Sequence, residues 1–179
     1  FKDSNGRISP IYEKQTTLNF GKYEWRILDM KDSKALLISG DILFKKAYND
    51  TDASVTWQDC TLRSYLNDDF YNTAFSDEEK KLIVKSKIEN PDNPKCGTEG
   101  GSDTEDYIFL LSIDEANSYF KADEDRTWVI FWGWWLRSPG DRQDRVACVN
   151  GDGSIGEYGC IVSDSNGGVR PALWLDLNQ

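Results

Sequence analysis

The sequence predicts an α+β domain in which a few short helices accompany a largely antiparallel set of strands. Three observations lead to this prediction. Alternating apolar and polar residues over residues 17–38 are typical of short strands. Capping signals at Thr56, Ser76 and Ser112 each open a short helical pattern. After Arg126, the remaining signals are those of strands and turns.

The N-terminal part predicts a flexible lead-in followed by a meander of strands. Residues 1–16 are polar and carry little pattern, so we expect them to be frayed. Apolar residues then alternate with polar neighbours over residues 18–27, and residues 35–38 and 42–44 are short apolar runs. At this length we expect a single domain over residues 17–179.

The three capping signals place the helices. The run Thr56-Trp57-Gln58-Asp59 has the form of a capping box, and apolar residues then recur near helical period, which predicts a helix over residues 57–67. Ser76 and Ser112 are each followed three residues later by a glutamate, which predicts two further short helices. The apolar residues 107–111 predict a buried strand between them.

Two aromatic runs organise the C-terminal third of the chain. They are Trp134-Trp135-Leu136-Arg137-Ser138-Pro139-Gly140 and Gly168-Val169-Arg170-Pro171-Ala172-Leu173-Trp174-Leu175. Each contains a proline, which has no backbone N–H to donate to a neighbouring strand. This suits a buried strand that ends at the proline. We interpret the runs as neighbouring core strands, and their structural residues as Trp135, Arg137, Arg170 and Trp174. A buried arginine needs a carboxylate or backbone carbonyls as partners.

The segment between the two runs predicts an exposed hairpin. Residues 146–149 and 155–162 are strand-like, and the turn Asn150-Gly151-Asp152-Gly153 that joins them tolerates positive φ. Residues 163–168 form a second predicted turn, which leads into the last strand.

Charge and composition exclude several classes of function. The chain has 21 basic and 31 acidic residues and a net charge of −10, which repels phosphate backbones and anionic lipid. We therefore expect no nucleic-acid partner and no membrane insertion. The absence of histidine excludes Ser-His and Cys-His nucleophile pairs and histidine metal sites.

The four cysteines, Cys60, Cys96, Cys148 and Cys160, form no CxxC motif. Four thiols can pair in three ways, and their spacing does not choose among them. Buried free thiols or one opportunistic disulfide are favoured over a designed disulfide framework.

The acidic loop over residues 89–106 suggests calcium as the one cofactor to consider. Its carboxylate, amide and backbone oxygens are hard ligands suited to that ion, although EF-hand spacing is absent. The candidate ligands are Asp92, Asn93, Glu99, Asp103 and Asp106.

Several strings occur together in a recognisable order: Cys60-Thr61-Leu62-Arg63, Phe70-Tyr71-Asn72-Thr73-Ala74-Phe75-Ser76, Asn90-Pro91-Asp92-Asn93-Pro94, Phe109-Leu110-Leu111-Ser112-Ile113-Asp114-Glu115-Ala116 and the two aromatic runs. Over roughly residues 17–177, the chain resembles an uncharacterised bacterial domain-of-unknown-function family. The resemblance implies an extracytoplasmic location. Because the chain opens at Phe1 without a methionine, the sequence leaves open an export signal that has been removed.

The C-terminal pattern is similar, more distantly, to the C-type-lectin-like fold of formylglycine-generating-enzyme relatives. This resemblance implies two main short helices packed on a twisted, mostly antiparallel sheet. Those enzymes use a closely spaced cysteine pair, and Cys148 and Cys160 lie in a comparable region, twelve residues apart. Packed thiols or a cross-strand disulfide are the favoured interpretation of this pair.

Our leading hypothesis is a monomeric, non-enzymatic recognition domain that binds a protein or glycan through the turn-rich residues 141–166. The candidate contact residues are Arg142, Arg145, Asn150, Asp152, Glu157, Tyr158, Asp164 and Asn166, with Trp132 at the border. Two alternatives remain: a carboxylate-dependent enzyme that acts on cell-wall or glycan substrates, and a purely structural module of a surface protein.

Overall fold

The computed structural model describes residues 17–127 and 133–178. The predicted lead-in over residues 1–16 and the candidate contact residue Trp132 lie outside these ranges. In chain order, the strands are β1 (Thr17–Phe20), β2 (Tyr23–Lys31), β3 (Lys34–Ser39), β4 (Phe44–Lys45), β5 (Ile83–Val84), β6 (Ser86–Ile88), β7 (Thr104–Asp106), β8 (Gly133–Pro139), β9 (Arg145–Asn150), β10 (Ile155–Ile161), β11 (Gly168–Val169) and β12 (Ala172–Asp176). The helices are α1 (Thr61–Tyr65), α2 (Tyr71–Ala74), α3 (Asp77–Leu82) and α4 (Ile113–Tyr119).

Within the described residues, these strands form two five-stranded sheets and one two-stranded sheet. Sheet 1 has the order β1-β2-β3-β12-β5, sheet 2 the order β10-β9-β8-β11-β4, and β6 pairs with β7. The pairings are antiparallel except for the short parallel contact between β8 and β11. The prediction of an α+β fold with mostly antiparallel strands is therefore confirmed. No helix in the described ranges has the length and apolar character to span a membrane.

Two paired chain segments cross between sheet 1 and sheet 2, in opposite chain directions, and connect the two sheets. The chain leaves β3 in sheet 1 for β4 in sheet 2, and β11 in sheet 2 continues into β12 in sheet 1. These four strands pair with one another, β4 with β11 and β3 with β12. The second aromatic run thus pairs with the first as a strand at Gly168, opposite Trp134, before it crosses to the other sheet.

Arg170 occupies the crossing point, where Pro171 cannot donate to the ladder. Its Nε donates to the Ser39 carbonyl at 2.9 Å and its Nη2 to the Gly40 carbonyl at 3.4 Å. The guanidinium also lies 5.3 Å from the Trp134 ring centre. Burial lowers the pKa of Arg170 to about 10. The side chain supplies donors to carbonyls at the point where the strands change sheets.

Arg137 connects β8 to α4. Its guanidinium forms an ion pair with Glu115 and donates to the backbone carbonyls of Leu110 at 2.7 Å and Glu89 at 2.8 Å. Glu115 also accepts from the amide of Ser112, which completes the capping box of α4. One carboxylate therefore starts the helix and holds it against sheet 2.

The two later capping predictions are confirmed and the first is wrong. Ser76 and Ser112 each cap a helix through a reciprocal box with a glutamate. Residues 56–59 instead form a turn, because the amides of Asp59 and Cys60 both donate to the Thr56 carbonyl. Helix α1 begins only at Thr61, and the helical segment continues through a π-helical turn at Leu66–Phe70 to the end of α2.

The predicted strand over residues 107–111 is also wrong, although the segment is buried as expected. Its first two amides donate to the Asn67 side-chain oxygen, at 2.8 and 3.1 Å. Phe109 makes an isolated bridge to β12, and the Leu111 carbonyl accepts from the amide of Arg137. The backbone groups of this segment thus find their partners in the Asn67 side chain and in two different strands, β12 and β8, and do not pair with a single neighbouring strand.

The predicted C-terminal hairpin is present. Strands β9 and β10 pair antiparallel around the turn over residues 150–153, and β10 is the edge strand of sheet 2. Its register shifts between Gly156 and Cys160, so that Gly156 lies opposite Cys148 and Cys160 lies opposite Val146. This irregularity places the side chains of the candidate site.

Candidate functional site

Two of the predicted contact residues, Glu157 and Tyr158, surround Lys95. The Lys95 ammonium donates to Glu157 Oε2 at 2.8 Å and lies 4.9 Å from the centre of the Tyr158 ring. The hydrogen bond to Glu157 raises the pKa of Lys95. Tyr158 is 59% exposed and is available for contact.

Arg142 and Arg145 lie on the segment that leads into β9 and already face carboxylates. Arg142 makes a two-pronged ion pair with Asp144, at 3.0 and 3.1 Å. Arg145 Nε lies 3.7 Å from Asp141 Oδ1, and its Nη1 donates to the Gly159 carbonyl at 3.4 Å. A ligand anion would have to compete with these partners.

Asn150 and Asp152 hold the hairpin turn. Asp152 Oδ1 accepts from the amide of Ser154 at 3.0 Å and from its hydroxyl at 2.6 Å, and the Asn150 amide donates to that same hydroxyl at 3.0 Å. The hydrogen bonds from Ser154 lower the pKa of Asp152. Both side chains act within the turn.

The remaining two predicted contact residues, Asp164 and Asn166, line a cleft of about 40 Å³ on sheet 2. We call it the β10 cleft; it is lined by Gly133, Trp134, Trp135, Cys148, Cys160, Asp164, Asn166 and Gly167. Asp164 Oδ1 accepts from the amide of Asn166 at 2.9 Å, which orders the turn at the cleft edge. The cleft therefore combines apolar walls with two polar side chains and two thiols.

Glycines leave space beside the side chains of the β10 cleft. Trp135, Cys148 and Gly156 lie in line across β8, β9 and β10. A Cβ at Gly156 would lie 3.2 Å from Cys148 Sγ, and a Cβ at Gly167 would lie 1.9 Å from the Trp135 ring. Trp135 is held in place by donation from its Nε1 to the Lys46 carbonyl at 2.8 Å. The open space in this region thus depends on Gly156 and Gly167, which have no side chain, and on the fixed position of the Trp135 ring.

The two thiols in the cleft are in direct contact. Cys148 Sγ and Cys160 Sγ lie 3.2 Å apart and both are free. A hydrogen bond from Cys148 to the thiolate of Cys160 lowers the pKa of Cys160 to about 7, and the same hydrogen bond together with burial raises the pKa of Cys148. By contrast, burial raises the pKa of Cys60 to about 12. The pair is therefore chemically unlike the thiol that caps α1.

The sequence favoured packed thiols or a cross-strand disulfide for this pair, and the register shows how the two thiols meet. In a regular hairpin with Gly156 opposite Cys148, Cys160 would lie opposite Asp144. The shift within β10 moves it opposite Val146, which makes it a diagonal neighbour of Cys148. A bulge of this kind leaves no dependable mark in the spacing of the cysteines.

Two of the proposed calcium ligands take part in the hydrogen bonding of the fold. Asn93 is buried, and its amide donates to the carbonyls of Pro139 and Glu157, both at 2.8 Å. Its oxygen accepts from two backbone amides of its own loop. Asp106 is fully buried and accepts from Trp57, Arg63 and Thr104.

The other three proposed ligands lie at the exposed part of the same loop. Asp92 Oδ1 accepts from the amide of Gly100 at 3.0 Å, and Asp103 pairs with Lys87 at 2.9 Å. The hydrogen bond from Lys87 lowers the pKa of Asp103. Glu99 is exposed. Across the described ranges, no three cysteine, aspartate or glutamate side chains are grouped so as to hold a metal ion, and calcium binding stays a prediction.

Comparison with known proteins identifies the family. The model of the family described as a domain of unknown function, DUF6273, matches residues 32–177. The chain belongs to this family. All residues of the β10 cleft in this DUF6273 domain lie inside the matched range. No match was found among the curated proteins or the solved structures, so the C-type-lectin-like classification stays a prediction.

Proposed function

We propose that this DUF6273 domain is a recognition domain that binds a partner protein, one side chain of which enters the β10 cleft. The observation that carries the proposal is the cleft itself. It lies beside edge strand β10 and combines apolar walls with the polar side chains of Asp164 and Asn166. Its volume of about 40 Å³ has room for about three water molecules. That space suits one small side chain.

The strand next to the cleft favours a protein partner. Tyr158 and Ile161 on β10 are 59% and 46% exposed, and tyrosine is enriched in the contact surfaces of proteins. A partner would thus meet exposed apolar side chains beside the cleft.

Carbohydrate binding is less well supported. A sugar stacks on exposed aromatic faces, but Trp25, Trp57, Trp134 and Trp135 are all buried, so that Tyr158 is the aromatic ring that β10 exposes. Among the residues that line the cleft, Asp164 is the only acidic one, and glycoside hydrolysis commonly uses two carboxyl groups on opposite sides of the bond. The protein-binding hypothesis is therefore preferred over a glycan ligand.

Selection from a displayed peptide library tests the proposal. We expect selected peptides to bind the wild-type domain and to lose at least about tenfold in affinity with Asn166→Ala, which removes a side chain of the cleft rim. Lys87→Ala, on β6 in another sheet, is the matched control and should bind as the wild type does. Peptides that bind both variants equally, or a glycan array with binders that Asn166→Ala abolishes, would reject a protein-binding cleft.

We also propose an extracytoplasmic location, which rests on the family resemblance in the sequence. A membrane-impermeant biotin reagent applied to intact cells should label the domain as efficiently as it does in lysed cells. Labelling that requires lysis would place the domain inside the cell and overturn this part of the proposal.

A further inference from the structure

The thiol pair in the β10 cleft has the arrangement that disulfide exchange requires. Cys148 and Cys160 sit on neighbouring strands with their sulfur atoms 3.2 Å apart. The diagonal register brings the side chains together from one face of the hairpin. A bond between them therefore needs only a small movement of two side chains, because a disulfide is about 2.05 Å long.

The two thiols differ in their access to solvent. Cys148 is 5% exposed and Cys160 is half-buried on the edge strand. Gly156, opposite Cys148, leaves the adjacent space free of a side chain. An incoming reagent therefore reaches Cys160 first, and Cys148 remains behind it within contact distance.

The charge distribution also distinguishes the two sulfur atoms. The thiolate is the attacking form in exchange reactions. The Cys148 hydrogen bond favours the thiolate of Cys160, and the positive charge of Arg145 adds to this effect. Burial and the negative charge of Asp164 act in the opposite direction. Cys160 is thus the attacking thiol and Cys148 the resolving thiol.

We propose that Cys148 and Cys160 form a dithiol site that is reversibly oxidised by low-molecular-weight disulfides, which reach the half-buried Cys160 on edge strand β10. This activity is separate from the proposed recognition of a partner protein and does not depend on it.

The reaction balances in two exchange steps. The Cys160 thiolate attacks one sulfur of the small disulfide, so that a mixed disulfide forms and one small thiolate leaves and takes up a proton. Cys148 then loses its proton and attacks Cys160 Sγ, which releases the second small thiol and forms the Cys148–Cys160 disulfide. The protein loses two electrons and two protons, and the small disulfide gains them as two thiols.

The test uses the reduced domain with oxidised glutathione as the probe and Cys96→Ser as the background, since Cys96 is the other partly exposed thiol. After acid quenching and mass spectrometry, the protein should be lighter by two hydrogen atoms, with the peptides of β9 and β10 linked. Adding Cys148→Ser should trap glutathione on Cys160. Adding Cys160→Ser should slow glutathione attachment at least about tenfold.

A matched control separates this site from general thiol reactivity. Cys60→Ser in the same background should oxidise as the background protein does, since Cys60 is buried at the start of α1. The proposal is overturned if the background protein keeps its thiols in oxidised glutathione. It is equally overturned if the Cys148→Ser and Cys160→Ser variants collect glutathione at the same rate. Circular dichroism establishes that each variant is folded before the comparison.

Discussion

Replacing Asp106 with alanine should lower the free energy of unfolding by about 3–5 kcal/mol. The carboxylate is fully buried and accepts from Trp57 Nε1 at 2.9 Å, Arg63 Nε at 2.7 Å and Thr104 Oγ1 at 2.7 Å. Each buried donor left without a partner costs about 1–3 kcal/mol. Arg63 is 24% exposed, so water recovers part of its loss.

Urea unfolding followed by tryptophan fluorescence measures this change. Glu105→Ala is the matched control: it removes the exposed carboxylate next to Asp106 and should unfold with the wild type. A loss below about 1 kcal/mol for Asp106→Ala would refute the structural role. Repeating the urea unfolding with added calcium also tests the calcium hypothesis, because calcium that binds through Asp106 would raise the free energy of unfolding of the wild type and not that of the variant.

Three further predictions concern the cleft and the crossing point of the sheets. Gly167→Ala should destabilise the domain by about 1–3 kcal/mol in urea unfolding, because its Cβ would lie 1.9 Å from the Trp135 ring. Arg170→Met should lower the free energy of unfolding by about 2–3 kcal/mol in thermal unfolding, because it leaves two carbonyls at the crossing without their donor. The rate at which iodoacetamide alkylates Cys160 should rise with a midpoint near pH 7 and shift to higher pH in Cys148→Ala, which lacks the donor thiol.

Clear outcomes would contradict each of these three. A Gly167→Ala variant as stable as the wild type would mean that the Trp135 ring is free to move. An unchanged melting temperature for Arg170→Met would show that the crossing carbonyls find other donors. If the alkylation midpoint is the same in the wild type and in Cys148→Ala, the hydrogen bond from Cys148 is not the cause of the lowered pKa of Cys160.

The parts of the fold that the sequence predicted are those set by local chemistry. Ser76 and Ser112 form their capping boxes within four residues, and the turn over residues 150–153 contains its own hydrogen bonds. The segment over residues 107–111 was predicted wrongly because the partner of its first two amides is Asn67, some forty residues earlier. Periodicity reports burial, and it does not report where a backbone group finds its partner.

In the candidate site, too, features set by local sequence were predicted, and features set by the whole fold were not. Asp164 and Asn166 were predicted as contact residues from their polar, turn-rich setting, and they lie at the rim of the β10 cleft. Packed thiols or a cross-strand disulfide were favoured for Cys148 and Cys160, but the register shift within β10 that brings them into contact was not predicted. The two aromatic runs were predicted to be neighbouring core strands, whereas the second run pairs with the first at Gly168 and then changes sheets at Arg170. Register and sheet exchange are properties of the whole fold.

The measurement that tests the account most directly is an NMR titration of the ¹⁵N-labelled, reduced domain with a selected peptide. If the β10 cleft is the binding site, the largest shifts will fall on β9, β10 and the turn over residues 163–167, and Asn166→Ala will need a higher peptide concentration to produce them. Shifts centred on another surface, such as that around exposed Met30 or Leu177, would contradict a binding site in the cleft.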